Sequence, residues 1–182
     1  MFRQQRKSSG MKWGLIGGLV AGGATLIPLV PVIRRRAMNI TPILKKDHRM
    51  VSGLILTLEL TPKINGMARH ALFDQIRHQV LIHAQSEEEV LYPAMRHVFL
   101  GEEESKVSEA YREHQLVKDL LDDMRNIDPM NETFDSKVAE LKKNFQHHVE
   151  EEEGEMFDIL RRRMSDEQMR DLGRGSMIGR SC

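Results

Sequence analysis

The chain has 182 residues, with 27 Lys and Arg, 27 Asp and Glu, 8 His and a single Cys, the terminal Cys182. That length suffices to bury a core, and one cysteine excludes both a disulfide framework and a cysteine-based metal site. The net charge of zero hides a split: residues 1–46 carry nine Lys or Arg and no acid, whereas residues 47–182 set 18 bases against all 27 acids, a net of −9. Such asymmetry places a basic segment, suited to a membrane or a nucleic acid, beside an acidic domain.

Residues 13–33 form a 21-residue run without a charge, flanked by Lys12 and Arg34-Arg35-Arg36. About 20 apolar residues cross a bilayer, so residues 1–36 are expected to hold a membrane anchor. Gly14, Gly18 and Gly22 give it a small-residue face through which two copies would pair as a homodimer. A cleaved signal peptide is the competing reading, opposed by the lack of a small-x-small site before the arginines. Basic residues slightly favour a cytoplasmic domain, the more so if translation starts at Met11.

Residues 37–175 read as an antiparallel, up-down four-helix bundle, all-α, with residues 176–182 a flexible tail. Thr41-Pro42 is expected to open the first helix, whose apolar stripe runs Leu44, His48, Val51, Ile55, Leu58. The second helix, about 67–99, carries Leu72, Ile76, Val80, His83, Glu87, Leu91, Ala94 and Val98. The third, about 102–126, carries Val107, Ala110, His114, Val117, Leu121 and Met124. The fourth, about 132–163, carries Val138, Leu141, Phe145, His148, Glu152, Met156 and Ile159. Ser165 and Gln168 make a capping box for a short last helix that Gly173 is expected to end. No stretch alternates with period two, so no strand is expected.

His48, His83, Glu87, His114, His148 and Glu152 occupy stripe positions where Leu is expected. Residues i and i+4 share a helix face, so His83 with Glu87 and His148 with Glu152 each aim an imidazole and a carboxylate at one point. The pairs His48/His114, His83/His148 and Glu87/Glu152 are offset by 66, 65 and 65 residues, which makes the domain two helix-pair repeats with one donor set each. Buried unpaired carboxylates are costly, and a pair of bound dications explains them best. Nitrogen and oxygen donors without sulfur suit iron, manganese or zinc. His147 and Glu151 share the i, i+4 spacing but lie about 100° off the stripe; His70, His78 and His97 also fall outside it. Glu88, Glu89, Glu150, Glu151 and Glu153 read as a solvated acidic face, with Glu88 the best exception, and Tyr92 and Tyr111 as outer donors or plain packing.

Asp47-His48, His83-x-x-x-Glu87-Glu88 with Leu91-Tyr92-Pro93, Glu113-His114 and His148-x-x-x-Glu152-Glu153 together resemble the hemerythrin-like HHE cation-binding family over about residues 40–173. The resemblance implies a non-haem di-iron centre with His48 and His83 on one iron, His114 and His148 on the other, and Glu87 and Glu152 bridging. Oxygen-carrying hemerythrins place two histidines one turn apart on the third helix, where this chain has Ala110 and Lys118 around His114. That departure leaves more open positions and turns the expectation from storage towards reactivity. The related iron–sulfur repair proteins carry a cysteine-bearing N-terminal domain that this sequence lacks, so that role is not expected to transfer.

The sequence therefore points to a membrane-tethered protein with two iron ions, or manganese or zinc, that binds, senses or buffers oxygen, nitric oxide or a related diatomic. The alternatives are an enzyme removing peroxide or nitric oxide, or an iron-donor protein. Nucleic acid is not an expected partner.

Overall fold

The structure, a computed structural model, describes residues 38–179, and every regular element among them is helical. The uncharged run 13–33, with its expected anchor and pairing face, and Cys182 lie outside the described residues. Among the described residues no helix is long and apolar enough to cross a membrane.

The first helix, α1, is Ile40–Leu60, and its cap is Asn39 rather than the expected Thr41. The Asn39 side chain accepts from the Thr41 amide at 3.1 Å, and the Thr41 hydroxyl donates back to it at 3.2 Å. Asn39 takes the non-helical turn, so Thr41 and Pro42 fall within the first turn, where proline's missing N–H costs nothing. A short loop leads to α2, Gly66–Ser86, capped by Asn65. A π-turn, Glu87–Leu91, joins α2 to α3, Tyr92–Val98, as one continuous rod. Gly101, at φ 62°, makes the reversal into α4, Glu103–Met124. The fourth rod repeats the second: α5, Glu132–Glu151, capped by Asn131, then a π-turn, Glu152–Met156, then α6, Phe157–Arg163.

The final helix, α7, is Asp166–Gly179. The Ser165 amide donates to Gln168 Oε1 at 2.8 Å and the Gln168 amide to Ser165 Oγ at 3.3 Å, the capping box read from the sequence. Gly173 does not end this helix as expected, and residues 176–179, expected in a flexible tail, continue it, with Ser176 buried. Gly173 is buried against the start of α1, where a Cβ would stand 2.0 Å from the Met38 carbonyl oxygen. Its smallness serves close packing of α7 on α1 and not chain reversal.

The core lies in two apolar blocks. One contains Val51, Ile55 and Leu58 of α1, Phe73, Ile76 and Val80 of α2, Val117 and Leu121 of α4, and Phe134, Leu141 and Phe145 of α5. The other contains Ile40 and Leu44 of α1, Leu91, Tyr92 and Met95 of the second rod, Val107 and Ala110 of α4, and Met156, Phe157 and Leu160 of the fourth. Each rod passes between blocks in the opposite sense to its chain neighbour, which is the up-down topology. On every rod the histidine lies at the crossing. The stripes of α1 and α4 are buried throughout as expected. Those of the second and fourth rods slip by one residue past the π-turns. Tyr92, Met95 and Phe99 are buried where Ala94 and Val98 were expected, and Phe157 and Leu160 join Met156 and Ile159. The extra residue in a π-turn rotates all that follows by about one position.

At the far end, Arg69 is 2% exposed, an unexpected site for a guanidinium. It donates to the Pro129 carbonyl at 2.8 Å and the Thr61 carbonyl at 2.9 Å, pairs with Asp135, and lies over the Phe134 ring at 5.4 Å. These contacts tie both loops at that end to one side chain.

Candidate metal centre

Both His-x-x-x-Glu pairs straddle the junction of an α-helix and a π-turn. His83 ends α2 and Glu87 opens the first π-turn; His148 ends α5 and Glu152 opens the second. The Tyr92 amide returns to the Glu87 carbonyl and the Phe157 amide to the Glu152 carbonyl, in the same register. In the first copy Pro93 explains the widening, because it has no N–H and its ring would clash with the Glu89 carbonyl in an unbroken α-helix. The second contains Gly154 and no proline. π-turns inside helices recur at functional sites, and here each one opens on an inner glutamate.

All six expected donors come together, and none is more than 4% exposed: His48 1%, His83 2%, Glu87 0%, His114 4%, His148 2%, Glu152 0%. Glu87 is central. Its oxygens lie 3.2 Å from Nε2 of His83 and of His114, 3.7 Å from Nε2 of His148 and 3.8 Å from Nε2 of His48. Glu152 Oε2 lies 3.6 Å from His48 Nε2 and 3.8 Å from His148 Nε2. The imidazoles group as His48 with His83 and His114 with His148, each at 4.7 Å between ring centroids. Across the pairs the separations are 5.7–6.1 Å. Each carboxylate thus reaches a histidine of both pairs.

Outer carboxylates hold the far ring nitrogens of three of the four histidines, whereas His83 Nδ1 is buried without a hydrogen bond. His48 Nδ1 donates to Glu153 at 2.8 Å, His114 Nδ1 to Glu88 at 2.9 Å, and His148 Nδ1 to Glu113 at 3.3 Å. An ionised carboxylate only accepts, so in the neutral ring the proton stays on Nδ1 and the Nε2 lone pair turns inward. The residue after each inner glutamate therefore orients the lone histidine of the other repeat: Glu88 holds His114 and Glu153 holds His48. Lys118 braces Glu88 at 2.6 Å and Lys45 braces Glu153 at 3.0 Å. Glu153 corrects the sequence reading, which placed it on a solvated face; Glu88 is the exception that reading allowed. Glu113 belongs to the same set although it was given no role beyond its place in Glu113-His114.

The aromatic following each π-turn breaks the pseudo-symmetry. Phe157 stacks on His48 at 6.2 Å and 3°, and Tyr92 stacks on His114 at 5.3 Å and 29°. The Tyr92 hydroxyl reaches His114 Nε2 at 3.2 Å and Glu87 Oε2 at 3.5 Å. Tyr111 is farther out, its hydroxyl donating to the Glu88 carbonyl at 3.2 Å. The side chains set aside as decoys stay out of the cluster. His147 is 62% and Glu151 44% exposed, and His70, His78 and His97 face solvent.

The cluster fits a cation on its own terms. Nε2 of His48, His83 and His148, Oε1 of Glu87 and both oxygens of Glu152 are buried and make no hydrogen bond. Donor atoms of His48, His83, Glu87 and His148 all lie within 4.8 Å of one another. So many orphaned polar atoms at one point are uncharacteristic of a settled core and complementary to a metal's demand for lone pairs. By themselves the side chains share their protons unevenly. Burial and the Glu87 charge hold Glu152 well above the usual carboxylate range. Burial opposes charge on His148, yet Glu152, Glu113 and Glu87 together raise it to about 10. Burial also opposes the Glu87 anion, but His83, His114 and His148 outweigh it and hold Glu87 low. Burial keeps His48 and His83 below the usual imidazole value.

A model of the hemerythrin HHE cation binding domain matches residues 39–160, and the chain belongs to that family. It is a hemerythrin-like metal-binding domain whose His/Glu cluster fits a di-iron site. A Nostoc sp. (strain PCC 7120) protein described as a DNA nickase is 32% identical over 158 residues, covering 86% of this chain and 44% of that protein. An uncharacterized hemerythrin-like protein of Schizosaccharomyces pombe is 27% identical over 140 residues, 76% of this chain and 68% of its own. The chain thus spans less than half the length of the Nostoc relative. Among solved structures, a hemerythrin HHE cation binding domain-containing protein from Mycobacterium kansasii shares the fold, with a TM-score of 0.68 and 24% identity over 79% of this chain and 86% of that one.

Proposed function

We propose that the cluster holds two iron ions, with His48 and His83 on one, His114 and His148 on the other, and Glu87 and Glu152 spanning both, and that the protein binds, senses or buffers oxygen or a related small diatomic. The observation that carries this reading is the set of buried donor atoms, oriented by outer carboxylates and lacking hydrogen bonds. Iron in such a site supplies redox capacity and open coordination positions. The chain supplies the rest. The outer carboxylates fix the tautomers of His48, His114 and His148, Phe157 and Phe145 pack their rings against His48, and Tyr92 offers one hydroxyl on the His114 side. Buried donors of this kind admit molecules of a few atoms. Anaerobic loading should give about two irons per chain, and the reduced form should change its visible spectrum stoichiometrically on adding oxygen or nitric oxide. A spectrum indifferent to both gases would remove the gas-binding role.

The Tyr92 hydroxyl favours a second reading, removal of peroxide or nitric oxide, because a proton donor beside an open position suits turnover. Consumption of many equivalents of peroxide per chain would select it. The DNA nicking named for the Nostoc relative is not proposed for this chain: hydrolysis of a phosphodiester at this metal would need a strand to reach donors no more than 4% exposed, and supercoiled plasmid should survive the iron-loaded protein uncut. Residues 13–33 are proposed as an anchor on their length and lack of charge. Fractionation of the full chain with membranes, and of a chain starting at Met38 without them, is the expected outcome.

A further inference from the structure

With no inner donor more than 4% exposed, a hydrated cation needs a route to the cluster. Three outer carboxylates stand between it and the surface, and they differ. The Lys118 ammonium lies 2.6 Å from Glu88 and the Lys45 ammonium 3.0 Å from Glu153, so both approaches are covered by a positive charge. Glu113 has no lysine or arginine within ion-pair distance among the described residues. Its Oε2 holds His148 Nδ1 at 3.3 Å, and its Oε1 lies 3.3 Å from Nε2 of the exposed His147. That Oε1 is buried and makes no hydrogen bond, on a residue only 7% exposed.

Glu113 and His147 line a surface cavity of about 350 Å³, with Ala110 and Met156, both buried, also in its wall. Glu109 and Glu151 are at the same cavity. Its two cations are already matched, Arg112 by Glu109, and Lys106 by Glu155 at 2.5 Å and Glu151 at 3.9 Å. The local balance is acidic. A metal bonded at about 2.1 Å to a nitrogen and an oxygen spans a gap of this size, and Glu151, one turn beyond His147, supplies a third oxygen on rotating away from Lys106.

We infer that His147, Glu113 and Glu151 form an outer station that captures a divalent first-row metal ion on its way to the buried centre. This rests on the metal-centre reading above. The i, i+4 pair His147/Glu151, displaced from the core stripe, then has a role of its own: it gathers the ion where Glu113 touches both the surface cavity and His148. Few donors, two of them on exposed side chains, make the station weak, as transfer requires.

The test is the rate of Co(II) uptake by the metal-free full chain, followed by stopped-flow d–d absorbance. An acidic cleft raises on-rates by about tenfold or more, so His147→Ala should slow uptake about tenfold while leaving the final cobalt content unchanged. Glu151→Gln should slow it in the same direction, and His78→Ala, on a surface away from the cavity, should have no effect. Equal rates for wild type and His147→Ala, with normal final content, would overturn the station and leave the centre standing. A lowered final content in His147→Ala would make His147 a ligand of the centre and also overturn it. Absence of uptake by the wild type would overturn both.

Discussion

At the residue scale the outer carboxylates are the part of the site that spacing alone does not reveal. Glu88 and Glu153 each follow an inner glutamate by one residue, so regular helical geometry turns them about 100° from the core. The π-turns at Glu87 and Glu152 and the crossing of rods from the other repeat bring them onto His114 and His48. Loss of such partners costs about 10–100-fold in metal affinity. Glu153→Gln and Glu88→Gln should therefore weaken iron or zinc binding in that range, read by competition with a chelator, while leaving the far-ultraviolet circular dichroism unchanged. The burial of the six inner side chains at one level, by contrast, was legible in sequence, because each replaces an apolar residue in an otherwise regular stripe. Glu87→Ala or Glu152→Ala should abolish two-metal loading, since each removes a carboxylate that reaches both histidine pairs.

Among the elements, the four rods and their order follow from apolar periodicity, and α1 and α4 are buried on the stripe expected of them. The second and fourth rods depart from it because periodicity assumes one residue count per turn, and a π-turn changes that count midway. Pro93 was the available signal in one rod; in the other only Gly154 hints at it. Arg69 was unreadable for another reason: beside nearby Thr61, its partners Pro129 and Asp135 come from a loop and a rod remote in sequence. Arg69→Ala should cost about 3 kcal/mol in urea unfolding by leaving the half-buried Thr61 and Pro129 carbonyls and Asp135 without their donor. Metal content should not change, because a whole apolar block lies between Arg69 and the donors. Gly173→Ala should destabilise the packing of α7 on α1, since its methyl would collide with the Met38 carbonyl.

Across the whole molecule, the donor layer divides one apolar core in two, and the fold tolerates that division only if the layer's charges are settled. The side chains alone settle them with protons. His148, raised from 6.5 to about 10, contributes stability that is complete below pH about 6.5 and is lost as pH rises towards 10. Glu152, raised above its usual 4.5, acts in the same sense: the unfolded chain gives up its proton first, so stability falls as pH rises past 4.5. His48 and His83, lowered by burial, act on the acid side, where the unfolded chain takes up protons that the folded one refuses. A metal ion held by His148 and Glu152, as proposed, would replace their protons. The gap in Tm between zinc-loaded and metal-free chain, measured by calorimetry, should therefore widen from about pH 6.5 to pH 8.5. A gap that narrows over that range would mean that these groups are already deprotonated in the folded chain.

The central claim is that one buried layer of four histidines and two glutamates binds the metal. Its most direct test is an anaerobic equilibrium titration of ferrous iron into the metal-free chain, comparing wild type with His83→Ala and His147→Ala. The account predicts about two irons per chain for wild type and for His147→Ala, and loss of that stoichiometry for His83→Ala. Wild-type chain that binds no iron, or iron that survives His83→Ala and is lost with His147→Ala, would contradict it.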